Sequence, residues 1–118
     1  MKTDPREILM YYNPDSSRDR KTVAHAQSHS KHIKLYSHEQ SDSSETSWEM
    51  ILDALSMHPK ELLNEDHPDY KDKISGKEFD EVGWLHVLQE YPHLIKAPIA
   101  MRGKKAILCL TPTDIYSL

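Results

Sequence analysis

The chain has 118 residues, 37% of them hydrophobic and 29% charged, with a formal charge of −4 and eight histidines. That length is most economically one domain, 1–118, with a real core, and the acidic balance leaves no excess of Lys and Arg to neutralise nucleic-acid phosphates. A lone cysteine, Cys109, excludes an internal disulfide framework and a cysteine-based structural zinc site within one chain.

The two basic triplets, Arg18/Arg20/Lys21 and Arg102/Lys104/Lys105, read as ordinary solvated surface, so no nucleic-acid partner is expected. The stretch "MKTDPREILM" lacks the apolar core of a signal peptide. No run approaches the ~18 apolar residues that a membrane span needs. The expectation is a cytoplasmic protein with no membrane segment.

The apolar run Glu7 to Asn13 predicts a strand buried on both faces of a parallel sheet, closed by the Asn13-Pro14 turn. A helix is expected from about Asp19, with Val23, Ala24, Ala26 and Gln27 as a weak apolar stripe. His32 to Ser37 alternates Ile33 and Leu35 against Lys34 and Tyr36, a second strand. Strand, helix and strand make a βαβ unit with parallel pairing.

After the serine-rich stretch 37–47, Thr46 and Glu49 are spaced as a capping box ahead of Trp48, Ile51, Leu52 and Leu55 at i, i+3, i+4, i+7. Pro59 suits the first position of a short helix carrying Leu62 and Leu63. "NEDHPDYKD" reads as a break in the pattern. Ser75 and Glu78 repeat the capping spacing before a helix running to about Glu90. Ala97–Arg102 and Lys105–Thr111 read as strands, with Gly103 and Lys104 as a tight hairpin turn. Pro112 then opens a final helical turn. The order is β-α-β, a helical insert of about 45–95, β-β and α.

The corner "YYNPDSSRDRKT" (Tyr11 to Thr22) joins a strand to a helix through small hydroxyl residues, an architecture suited to a reactive or anion-binding site. It resembles the arsenate reductase family and its Spx-type relatives, whose members carry Asn-Pro-x-Cys-x-x-(Ser or Cys)-Arg-x-Thr there. Asn13, Pro14, Arg20 and Thr22 match. "YPHLIKAPIAMRGKKAILCLTPTDI" is similar to the family's second half, and "KELLNEDHPDY" to its Leu-Leu-Arg to Tyr segment. The resemblance implies a thioredoxin-like α/β fold with a four-stranded mixed sheet, and a cis peptide before Pro98. It also implies a glutathione- and glutaredoxin-dependent arsenate reductase activity, or docking on RNA polymerase as in the Spx-type relatives.

The same resemblance implies that the site is degenerate. A cysteine thiolate attacks the arsenic oxyanion in the family, and three arginines hold the anion. Those positions here are Ser16, Asn64, Ala97 and Leu110. Serine stays protonated unless a positioned base takes its proton, and it cannot form the mixed disulfide through which electrons pass. Ala97 and Leu110 supply neither charge nor donor, and Asp15 and Asp19 would repel an anion. Asn13, Pro14 and Pro98 remain as loop-shaping residues.

The reading is therefore a non-catalytic binding or regulatory module with no cofactor and no metal site. The alternative is a thiol oxidoreductase working through Cys109, which as a bland reading is a small buried core residue. An anion held by Ser16, Ser17 and Arg20, or a hydrolytic use of Ser16, is a third reading, set against plain turn chemistry. His25 and His29 stand at i, i+4 with His32 beyond, a pair that lacks an evident third metal ligand. Tyr11 and Tyr12 could border a peptide-binding surface.

Overall fold

The computed structural model describes residues 7–37 and 45–118, the side chains of 45–47 excepted. The chain divides into two compact units, one made of 1–41 and 97–118 and the other of 42–96.

The first unit holds a four-stranded sheet of order β2-β1-β3-β4, formed by β1 (Ile8–Tyr12), β2 (Ile33–Ser37), β3 (Ile99–Arg102) and β4 (Lys105–Leu108). β1 runs parallel to β2, with Ile8 opposite Ile33, and antiparallel to β3, with Tyr11 opposite Ile99. The sheet is therefore mixed, as expected for a thioredoxin-like α/β fold. Parallel pairing needs a crossover, which helix α1 (Ser17–His29) supplies. Arg102 pairs with Lys105 across a two-residue turn. Gly103 takes φ +61 there, and Lys104 keeps a negative φ. Positive φ at the first turn position alone is the type II′ pattern, in which glycine avoids the Cβ clash.

The core of this unit joins Ile8 and Met10 of β1 to Val23 and Ala26 of α1, with Ala100, Cys109 and Ile115 closing it. Ile115 comes from the 3-10 helix Pro112–Ser117, the final helical turn that Pro112 opens. The expectation of a β1 buried equally on both faces needs amending: Ile8 and Met10 are fully buried, whereas Leu9 and Tyr11 are half-buried. Leu35 keeps 37% of its surface exposed, because β2 is an edge strand. The stripe expected on α1 is displaced as well. Ala24 and Gln27 are exposed, and the buried line is Asp19, Thr22, Val23 and Ala26 at i, i+3, i+4, i+7. Two polar members hid that line from a search for apolar periodicity.

The second unit is helical: α2 (Glu45–Leu55), α3 (Pro59–Leu62), α4 (Pro68–Lys73), α5 (Glu81–Glu90) and the 3-10 turn Pro92–Leu94. α5 packs against α2, α3 and that turn. Segments 62–64 and 94–96 run antiparallel: Leu63 bridges Ile95, Asn64 N donates to Leu94 O at 2.7 Å, and Lys96 N donates to Leu62 O at 2.8 Å. The apolar stripe of α2 is as expected, with Trp48 fully buried. Its expected cap is not: Glu45 is already helical, so Thr46 lies inside the helix, and its side chain is outside those described.

At the other end of α2, Ser56 adopts φ 54. Its N–H bonds Asp53 O, and Met57 N–H bonds Leu52 O, the two bonds of a Schellman stop made without glycine. α4 was not expected, and α5 starts later than the Ser75/Glu78 spacing suggested. The working cap is Asp80, whose Oδ1 accepts from Gly83 N at 2.7 Å. Phe79, just before the cap, packs on Trp84 with ring centroids 5.0 Å apart, a hydrophobic staple fixing the chain's entry into the helix. Among the described residues every peptide bond is trans, the one before Pro98 included. The cis bond implied by resemblance is absent.

Candidate functional site

The corner between β1 and α1 is organised by a carboxylate. Ser16 is the N-cap of α1, and its Oγ accepts from Asp19 N at 3.2 Å. The same hydroxyl donates to Asp19 Oδ1 at 3.2 Å, while Asn13 N donates to Asp19 Oδ2 at 2.9 Å. Asp19 is only 3% exposed. Burial pushes its carboxyl above the ordinary carboxylate range, against the opposing pull of the Asn13 amide, the Ser16 hydroxyl and the Arg18 charge.

Asn13 shapes the turn by accepting from Asp15 N at 3.0 Å through Oδ1 and from Ser16 N through its carbonyl. Arg20 donates from Nη1 to Pro14 O at 2.9 Å, so its guanidinium braces this turn. Ser17 is exposed at the first helical position. A helix N-terminus normally offers free amides to an anion. Here an internal carboxylate takes two of the corner's amide or hydroxyl donors.

The remaining candidate positions are spread over both units. In the first, Ala97 is buried and Leu110 is 52% exposed, and neither has a polar group to offer. In the second, Asn64 is exposed, and its Oδ1 accepts from Asp66 N at 3.1 Å. A shallow hollow of about 680 Å³ beside Asn64 is lined by Glu61, Glu65 and Asp66 against Lys60 and Lys96, a balance unsuited to an oxyanion.

Cys109 is fully buried in the first unit's core, its N–H donating to Pro98 O at 2.8 Å. Burial, with lesser contributions from the charges of Asp114 and Asp19, pushes its thiol up to about 12. A thiol of that kind is inert as a nucleophile at neutral pH.

Two groups of histidines stand out among the described residues. His25 Nδ1 lies 2.9 Å from Tyr116 Oη, and the rings of His25 and His29 both meet Tyr116 edge-on. Among the described residues no third His, Cys, Asp or Glu joins them. The other group lies in the second unit and escaped sequence reasoning. His58 and His67 each precede a proline and cap a helix, their Nδ1 atoms accepting from Lys60 N at 3.1 Å and Asp69 N at 3.0 Å. Asp69 Oδ2 stands 2.8 Å from His93 Nε2, and the rings of His67 and His93 are 5.4 Å apart. The hydrogen bond to His93 holds the Asp69 carboxyl below its ordinary range. The repeated His-Pro dipeptide was the signal available for the two caps; nothing local could join Asp69 to His93.

No family model matches the chain, and no curated protein does. Solved structures do. A Yersinia pestis protein assigned as an arsenate reductase superposes with a TM-score of 0.81 at 20% identity, covering 95% of this chain and 100% of that one. The arsenate reductase from Vibrio cholerae gives 0.80 at 17% identity over 97% of this chain and 98% of that one. An arsenate reductase-related protein from Brucella melitensis gives 0.71 at 12% identity over 98% and 97%. The chain has the arsenate-reductase fold, and that likeness extends over nearly all of it. Among the described residues no helix is long and apolar enough to cross a membrane.

Proposed function

We propose that this chain is a relative of the arsenate reductases that lacks their nucleophilic cysteine, keeps the scaffold as a binding or regulatory module and does not reduce arsenate. The observation that carries the reading is the Ser16–Asp19 pair. Its two reciprocal bonds, backed by Asn13 N, make Ser16 a helix cap. Reducing an arsenic(V) oxyanion takes two electrons, which the family draws from sulfur as thiols become a disulfide. A serine oxygen has no such electrons to give. Asp19 supplies a buried acceptor where an incoming anion would need donors.

The thiol-oxidoreductase alternative through Cys109 is disfavoured by full burial and by a thiol pushed up to about 12. A protein partner, RNA polymerase included, rests on the resemblance alone. The exposed Leu110, where the family has an arginine, suits an apolar contact better than an anion.

The test is arsenate reduction by the purified protein with glutathione and glutaredoxin. The expected result is no turnover above the reagent background, unchanged in Ser16→Ala. A rate that Ser16→Ala abolishes overturns the proposal.

A further inference from the structure

The geometry points to a divalent transition-metal site formed by His67, Asp69 and His93 in the second unit. One potential ligand atom from each lies within 4.8 Å of the others. Two imidazoles and one carboxylate suit a borderline ion such as Zn²⁺, with water completing the shell. His67 caps α4 and Asp69 follows in its first turn, while His93 belongs to the 3-10 turn Pro92–Leu94. The backbone therefore brings together ligands that are 24 residues apart for the Asp69–His93 pair.

The movement required is small. Ligands bonded to one tetrahedral zinc at about 2.0–2.2 Å stand roughly 3.4 Å from each other. Asp69 Oδ2 and His93 Nε2, now 2.8 Å apart, must open by about half an ångström as the metal replaces the proton between them. His67 must close by no more than roughly 1.4 Å from the 4.8 Å bound. Asp69 and His93 are 42% and 44% exposed, so an ion reaches them without any opening of the fold.

His67 sets the character of the site. Its Nδ1 accepts the Asp69 amide, which leaves the neutral ring's proton on Nε2. A metal on either nitrogen must displace that cap bond, so metal capture and the cap of α4 compete for one imidazole. The amides of the helix's first turn and the charge of Lys73 near Asp69 also oppose a cation. Hard ions that bind mainly by charge, Mg²⁺ and Ca²⁺, gain too little here. Ions with strong bonds to imidazole nitrogen, Zn²⁺ and Co²⁺, are selected.

The experiment is calorimetric titration of the full chain with Zn²⁺, together with visible absorption of the Co²⁺ form. The expected result is one micromolar Zn²⁺ equivalent, Co²⁺ d–d bands, and no competition from millimolar Mg²⁺. His93→Gln and His67→Asn should each weaken that equivalent by at least about tenfold, and His25→Gln should leave it unchanged. Asparagine is chosen at 67 because it caps a helix well, so lost binding there is not lost folding. Absence of binding up to millimolar Zn²⁺, undiminished affinity in both ligand variants, or equal binding of Mg²⁺ overturns the assignment.

Discussion

Modifying the single thiol with a chromogenic disulfide reagent separates the two roles open to Cys109. Its thiol is raised from 9.0 to about 12. At pH 8 the thiolate fraction then falls from roughly one in ten to about one in ten thousand. A more basic thiolate is also more nucleophilic, with a Brønsted slope of about 0.4–0.5, which returns roughly 20- to 30-fold of that loss. Ionisation alone therefore slows the reaction by about 30- to 50-fold.

Access sets a second limit of its own, because Cys109 is 0% exposed among Ile8, Met10, Ala100 and Ile115. If the reagent must wait for an opening that costs even about 2 kcal/mol, the rate falls ~30-fold by that route, on which the exposed thiol ionises normally. By either route the native rate should fall at least about thirty-fold below the rate in denaturant. A Cys109→Ala sample supplies the blank. A native rate within about tenfold of the denatured one would refute both the burial argument and the thiol's assigned state.

Three further outcomes test other parts of the structure. Ser16→Ala should cost about 1 kcal/mol in denaturant unfolding through the lost cap. It should also raise the Asp19 carboxyl further in an NMR titration, since a bond that lowers it disappears; a downward shift would contradict the network. Asp114 is held below its ordinary range by the Thr111 amide first and the Thr111 hydroxyl second. Its contribution is present above the unfolded value of about 3.9 and is lost as pH falls through the depressed folded value, so Asp114→Asn should flatten the stability profile below about pH 4. Ser56→Gly should raise the unfolding free energy by about 1 kcal/mol by removing the left-handed penalty at φ 54. A lower melting temperature in that variant would place the serine in an unrecognised contact.

How far the sequence reaches is clearest from particular elements. Pro59 and Pro112 mark helix starts through their fixed φ and missing N–H, chemistry local to one residue, and both lie at the first position of their helices. The strands and the Gly103-Lys104 turn are legible for the same reason: short apolar runs and a φ-permissive residue act within a few bonds. α4 was not legible, because His67 is an unusual cap and "HPDYKD" carries little apolar periodicity. Asp80 outcompeted the Ser75/Glu78 spacing for the start of α5, a choice that the Phe79–Trp84 staple favours.

At the corner Tyr11 to Thr22, the sequence by itself determined that no cysteine is present and that a turn leads into a helix. Only the tertiary structure decided that Asp19 and Thr22 point inward and that Ser16 spends its hydroxyl on the Asp19 carboxylate. It alone decided that Cys109 lies beyond the reach of solvent and that Asp69 meets His93 across 24 residues. The physical reason is range. Backbone preferences are set by a residue and its immediate neighbours, whereas burial, proton sharing and ligand geometry depend on which distant segments the fold brings to one place.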